Sequence, residues 1–242
     1  MTFYIHRHGL RQDIVDKMTG NGIWRSSPRF AQHFNDIPLF DPAEPAIHNN
    51  AGLITEPLDC IYSSPAARCL ETSAILAKSL QIPIVVEYGL MESQLFWSNA
   101  LNDDFLHTEM TKPVRIGDNL YTENIDPEML PERLAIRFPM VDTSQSIIAP
   151  DAVPTAIDFA TWALRQKALL EIWATRHTNL LVVAHAAHST NLLPFVAQRS
   201  LDQFDDYVNG NHRTGTLAVC CPKKDIAVYQ NGAKIYENRI ID

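Results

Sequence analysis

Apolar and polar positions along the chain alternate between short strand-like runs and longer helical patterns. Thr2 to His6 is a β-branched and aromatic run of the kind that makes a buried strand, and it ends abruptly in Arg7-His8-Gly9, with Arg11 just beyond. Leu58 to Ser63 reads as a second buried strand, broken by Ser63-Ser64-Pro65. Either serine is placed to cap the helix that follows, with Pro65 at its first position, where a missing N–H costs nothing. Leu70, Ala74, Ile75, Ala77 and Leu80 supply the apolar face of that helix. Ile82 to Glu87 is a third strand, and Tyr88-Gly89-Leu90-Met91-Glu92 is the loop after it. Pro154 to Thr175 reads as a long helix, with Ile157, Ala160, Leu164, Ala168, Leu169 and Ile172 as one buried stripe. Leu180 to Ala184 is almost continuously apolar, which places it at the centre of a sheet. His185 stands at its end, and Ala186 to Ala197 resumes a helical pattern. Thr216 to Cys221, Ile226 to Tyr229 and Lys234 to Tyr236 read as closing strands, joined by turns at Lys223-Lys224-Asp225 and Asn231-Gly232.

Two stretches lack this order. Gln12 to Pro45 is rich in Asn, Asp, Pro, Ser and Gly, with Trp24, Phe30, Phe34 and Phe40 scattered through it. It reads as a packed excursion over the mouth of the first strand, and Arg25 and Arg29 are its candidates for substrate contact. Residues 93–150 hold Phe96, Trp97, Phe105, a short helix from Pro127 to Arg137 and several prolines, and read as a cap inserted between core elements.

Strand–helix alternation predicts a three-layer α/β/α sandwich around a mostly parallel sheet, whose strand ends gather at one edge. Residues 1–242 form one domain in this reading. Arg7, His8, Arg68, Glu92 and His185 all stand just after strands. Arg68 falls in the first turn of its helix, where a cation opposes the helix dipole, so an anion is expected beside it. Glu71 or another acid would serve, and so would a bound phosphate.

Composition narrows the classes of partner. Lys plus Arg is 20 against 28 Asp plus Glu, a formal net charge of -8, so the surface as a whole does not attract nucleic acid or an anionic membrane. Any cationic pocket must be local. No apolar run is long enough to cross a bilayer and no basic-then-apolar leader opens the sequence, so a cytoplasmic address is expected, with a nuclear one left open. Cys60, Cys69, Cys220 and Cys221 form no Cys-x-x-Cys pair and are expected to be reduced thiols without a role.

Arg7-His8-Gly9 after a first strand, Ser63-Ser64-Pro65 with Arg68 and Glu71-Thr72, a loop Glu92 and a late strand ending in His185 together resemble the histidine phosphatase, or phosphoglycerate-mutase-like, superfamily. Asp36-Ile37-Pro38-Leu39 is similar to that family's short Asp-x-Pro-Leu segment, and the likeness runs in order over essentially the whole chain. Arg7 to Arg11, Ser64 to Cys69 and Val183 to Ala186 look most like two groups within it. One is the phosphatase domain of the suppressor-of-T-cell-receptor-signalling proteins, with the insect ecdysteroid-phosphate phosphatase. The other is the histidine phosphatase domain of a small subunit of yeast transcription factor IIIC.

The resemblance implies a phosphomonoester hydrolase that needs no cofactor and no metal. In it His8 would attack phosphorus and become phosphohistidine. Arg7, Arg11, Arg68 and His185 would hold the phosphoryl oxygens. Glu92 would protonate the leaving oxygen and then deprotonate the attacking water. Two departures stand out. Ala186 occupies the position after the second histidine, where one branch carries its proton donor, and the Gly-Glu-Ser segment of many members is missing around Asp151-Ala152-Val153.

Three other readings compete. A mutase would share the same centre, and a weakly active or inactive domain would serve as a protein-interaction module. A metal hydrolase would use His6, His8, His185, His188 and Glu92, but the surrounding arginines would repel its cation. The expected partner is a phosphorylated small molecule or phosphoprotein, with a homodimer left open. The aromatics of the inserts point to an aryl, phosphotyrosine-like or other apolar leaving group.

Overall fold

Every residue from Phe3 to His6 is buried, and the strand they form, β1 (Thr2–Arg7), has a neighbour on each side. In the computed structural model the described residues are 2–23, 26–28, 36–92, 114–116, 119–121, 126–153, 159–185, 215–220 and 226–238. After β1 come helix α1 (Gln12–Thr19), helix α2 (Glu44–Ala51), strand β2 (Ile61–Ser63), helix α3 (Ala67–Leu80) and strand β3 (Ile84–Val86). A two-stranded hairpin, β4 (Val114–Ile116) with β5 (Asn119–Tyr121), precedes helix α4 (Pro131–Arg137) and strand β6 (Val141–Asp142). Helix α5 (Phe159–Arg176) leads to β7 (Asn179–Ala184), and β8 (Thr216–Cys220), β9 (Ile226–Gln230) and β10 (Ala233–Asn238) close the sheet.

The eight strands of the main sheet lie in the order β10-β9-β8-β1-β7-β2-β3-β6. From β1 to β6 every pairing is parallel, while β8, β9 and β10 pair antiparallel. Parallel pairing brings the C-terminal ends of β1, β7, β2 and β3 to one edge, the edge where chemistry collects in open α/β sheets. As expected, β7 is central and apolar throughout, from Leu180 to Ala184.

Helices cover both faces. On one, Tyr4, Ile61, Val183 and Leu217 pack with Ile47 of α2, Cys69, Leu70 and Leu76 of α3, and Leu134 of α4. On the other, Phe3, Ile5, Tyr62, Val182 and Ala184 pack with Leu169, Leu170 and Trp173 of α5. This is the three-layer sandwich that the alternation of patterns predicts. Each fully buried leucine of this kind stabilises the fold by about 1.5–3 kcal/mol.

Several elements differ from expectation. Gln12 to Pro45 is not all loop: α1 and most of a 3-10 turn and helix (Asp41–Ala43, then α2) fall in or start within it. Asp16 is the one buried residue of α1, so it carries almost no apolar stripe to read. The stripe expected on α5 is rotated. Trp162 and Trp173 are fully buried together with Gln166 and Leu169, whereas Leu164 is 67% exposed. Two indole rings, with the largest apolar area on the helix, decide which side faces the core. Within 93–150, Met129, Leu130 and Leu134 enter the core, and Val141–Asp142 adds the edge strand.

The Asn231-Gly232 turn forms as expected, with both residues at positive φ, 51° and 78°. Cys60, Cys69 and Cys220 are buried. Expectations for Trp24, Arg25, Arg29, Phe30, Phe34, Phe96, Trp97, Phe105, the start of the Pro154 helix, the 186–197 helix, His188, Cys221 and the Lys223 turn lie outside the described residues.

Candidate active site

His8 leaves β1 on a backbone locked at both ends: its N–H donates to Ala184 O at 3.0 Å and its carbonyl accepts from Gly215 N–H at 2.9 Å. The imidazole is 2% exposed, and its Nδ1 lies 2.8 Å from the Gly9 carbonyl oxygen. A carbonyl only accepts, so Nδ1 carries the proton and Nε2 is left with its lone pair. Burial holds the pKa of His8 well below the usual histidine value, and the Arg68, Arg7 and Arg11 guanidinium groups push it the same way. The result is a neutral imidazole with a lone pair among cations.

Space at Gly9 is tight. A Cβ there would lie 3.0 Å from both Ile47 Cδ1 and Leu39 Cδ2. Its N–H donates to Thr72 Oγ1 at 3.0 Å, and that hydroxyl donates to Arg68 O at 2.7 Å, so one threonine ties the His8 turn to the first turns of α3.

Arg68 is 2% exposed, and its Nη2 stands 3.0 Å from His185 Nδ1 and 3.4 Å from Glu92 Oε2. Glu92 Oε2 is also 3.6 Å from His185 Nδ1, and the His8 and His185 ring centroids are 5.6 Å apart. The anion expected beside Arg68 is thus Glu92, while Glu71 instead accepts the Leu39 N–H at 2.6 Å. Arg11 is gripped by Asp13 through two parallel bonds of 2.9 Å, a fork that fixes the plane of its guanidinium. The structure therefore brings together Arg7, His8, Arg11, Arg68, Glu92 and His185 at the C-terminal edge of the sheet.

Neither Ser63 nor Ser64 caps α3. The helix starts at Ala67, its N-cap Ala66 makes no side-chain bond, and the Asp36 carboxylate receives the Ala67 N–H at 2.7 Å. Ser64 Oγ lies 2.9 Å from His185 Nε2, and Ser63 Oγ donates to Ser64 O at 3.0 Å. Pro65 delays the helix by two residues, which turns the serine toward β7. Asp36 also receives Arg137 Nη1 at 2.7 Å, linking α3 to α4.

The Glu92 loop rests on a second set of residues that periodicity does not reveal. Glu87 is fully buried and accepts from Gly89, Ile147 and Ile148 N–H at 2.8, 2.7 and 3.1 Å. Burial raises its pKa, and these hydrogen bonds act against that rise. From α5, Gln166 Nε2 donates to Gly89 O at 2.8 Å, and Arg165 Nη2 donates to Met91 O at 3.0 Å. Gln166 is fully buried and Arg165 half-buried on the helix face that also buries Trp162.

His6 is not available to a metal. Its Nδ1 donates to Arg7 O at 2.6 Å and its Nε2 accepts from Asn50 Nδ2 at 3.1 Å. Among the described residues no group of His, Cys, Asp and Glu is arranged to hold a metal ion. Among them, too, no helix is long and apolar enough to cross a membrane.

Comparison with known proteins finds one family model and several solved structures to which the chain is similar. The family model described as histidine phosphatase superfamily (branch 1) matches residues 3–110, a span that includes Arg7, His8, Arg11, Arg68 and Glu92 and ends before His185. No curated protein matches the chain in sequence. The ecdysone phosphate phosphatase from Bombix mori, solved in complex with tungstate, is similar in fold at 18% identity, with 81% of this chain and 77% of that one covered and a TM-score of 0.53. Phosphoserine phosphatase from Entamoeba histolytica aligns at 14% identity over 99% of this chain and 97% of its own, with a TM-score of 0.47. Alpha-ribazole phosphatase from Shigella flexneri aligns at 14% identity over 90% and 89%, with a TM-score of 0.48.

Proposed function

We propose that this chain, whose residues 3–110 match the histidine phosphatase superfamily model and whose fold is similar to that of the ecdysone phosphate phosphatase, hydrolyses phosphomonoesters through a phosphohistidine on His8. The observation that carries the reading is the setting of His8: Nδ1 stands 2.8 Å from the Gly9 carbonyl oxygen, which leaves Nε2 its lone pair, and burial with the charges of Arg68, Arg7 and Arg11 favours the neutral ring. A dianionic phosphoryl group is drawn to that cluster, and a neutral imidazole is the form that attacks.

In the first step Nε2 bonds to phosphorus as the ester P–O bond breaks, and Glu92, as the acid, gives its proton to the leaving oxygen. In the second, Glu92 takes a proton from water, the water oxygen bonds to phosphorus, and the P–N bond breaks to release inorganic phosphate. Arg7, Arg11, Arg68 and His185 take up the charge on the phosphoryl oxygens in both. Phosphate arriving on Arg68 competes with Glu92 for that guanidinium, now 3.4 Å away, and so frees the carboxyl for its proton work. No step calls for a metal.

The substrate class in this reading is an ester of an aryl or other bulky apolar alcohol. Phe96, Trp97 and Phe105, which follow Glu92 in the sequence, support it, and ecdysone phosphate, for which the Bombix mori neighbour is named, is such an ester. The test is hydrolysis of an aryl phosphate by purified protein without added metal, run beside His8→Ala and across a panel of phosphomonoesters. Turnover that vanishes in the variant supports the reading. Activity that survives it, or is lost to a chelator and restored by zinc, overturns the mechanism. Failure to turn over any ester gives the lead to an interaction module.

A further inference from the structure

His185 meets its surroundings through both ring nitrogens, and the two are not equivalent. Nε2 lies 2.9 Å from Ser64 Oγ, while Nδ1 lies 3.0 Å from Arg68 Nη2 and 3.6 Å from Glu92 Oε2. A guanidinium has protons to donate and no lone pair with which to accept. Nδ1 therefore presents its lone pair to Arg68, and the ring proton sits on Nε2, donated to Ser64 Oγ. Ser64 is fully buried just past β2, and its backbone N–H is held by Val183 O at 3.0 Å. Because β2 and β7 are parallel neighbours, the sheet itself sets the serine beside the histidine.

A hydroxyl oxygen accepts from Nε2–H equally well whether the imidazole is neutral or charged. The contact to Ser64 thus survives a change of protonation, and any proton gained or lost is confined to Nδ1, on the side of Arg68 and Glu92. We propose that Ser64 is a positioning residue for phosphoryl transfer, holding His185 by Nε2 so that Nδ1 alone faces the phosphoryl group and alone exchanges a proton. The proposal rests on the phosphatase reading above. Without ligand, Nδ1 accepts from Arg68. With a phosphoryl group bound, Nδ1 takes a proton from solvent and donates it in a hydrogen bond to a phosphoryl oxygen, and Arg68 Nη2 turns to that group as well. Ser64 itself touches no substrate.

The test reads the His185 tautomer by NMR of protein carrying nitrogen-labelled histidine, free and with inorganic phosphate, beside kcat and KM for an aryl phosphate. Wild type is expected to show the Nε2–H form when free and a proton on both nitrogens with phosphate. Ser64→Ala loses the single tautomer, and its kcat falls about 10-fold, the worth of one such hydrogen bond, while Ser64→Thr keeps both. A serine that only fills space would lower thermal stability in Ser64→Ala and leave tautomer and kcat per folded molecule unchanged, which overturns the proposal. So does an Nδ1–H tautomer in free wild type, which needs no variant to fold. Normal turnover with the wrong tautomer sinks this proposal alone, whereas wild type that hydrolyses no ester sinks the phosphatase reading.

Discussion

The Asp36 carboxylate sits over the N-terminus of α3 and receives the Ala67 N–H at 2.7 Å, one residue before Arg68. Its second oxygen binds Arg137 Nη1 at 2.7 Å, with Asp36 fully buried and the Arg137 side chain 17% exposed. Arg137 keeps Glu128 Oε2 at 3.5 Å, so Asp36→Ala chiefly strands the buried Ala67 N–H and one Arg137 donor, and is expected to cost about 1–3 kcal/mol in urea unfolding. Asp36→Asn keeps an acceptor for Ala67 N–H but not the charge opposite Arg137. It should therefore recover more of kcat than of stability, and equal recovery of both would contradict this division of roles.

Gly89 provides a second handle, on the loop that carries Glu92. A Cβ there would lie 2.7 Å from Leu169 Cδ1, 2.8 Å from Ile148 Cδ1 and 2.9 Å from Glu87 Oε1. The Glu87 carboxylate is pinned by three backbone N–H groups and cannot recoil, so the loop must move. Gly89→Ala is expected to lose about 1–3 kcal/mol of stability and to lower kcat through a displaced Glu92. Gly52→Ala is the control. Its Cβ would meet nothing closer than 3.6 Å and its φ of -63° suits any residue, so it should be neutral in both assays.

These handles also show where the sequence could be read and where it could not. Strands β1, β2, β3 and β7 announce themselves as short apolar runs that stop at charged or small residues, and parallel pairing then brings Arg7, His8, Arg68, Glu92 and His185 to one edge. What escaped is what depends on contacts across the fold. Asp36 and Ser64 reach their partners over separations of 31 and 121 residues, and no local pattern distinguishes Ser64 from a helix cap. Helix α1 escaped because it buries so little, and the face of α5 because its tryptophans outweigh its aliphatic residues.

Acid should weaken the fold through its buried histidines. Burial lowers the pKa of His6 from 6.5 to about 4, and His8 shifts in the same direction. The unfolded chain takes up these protons as pH falls through 6.5, while the folded chain refuses the His6 proton until about 4. Stability is thus full above that window and is lost on the way down through it. For His6 the loss between about pH 7 and about pH 5 is on the order of 2 kcal/mol. Glu87, with a raised pKa, works the other way above its unfolded value of 4.5 and offsets part of this. Urea unfolding at the two pH values checks it: the pH dependence should shrink in His6→Gln, and an unchanged dependence would contradict the assignment.

The central claim is a covalent bond between His8 Nε2 and phosphorus. It is tested most directly by mixing the protein with a radiolabelled aryl phosphate, quenching in base within the first turnover, and mapping the label. The account predicts base-stable, acid-labile phosphohistidine at His8, attached at Nε2 because Nδ1 is committed to the Gly9 carbonyl, and no label in His8→Ala. Label on another residue, or undiminished hydrolysis with no label, would contradict it.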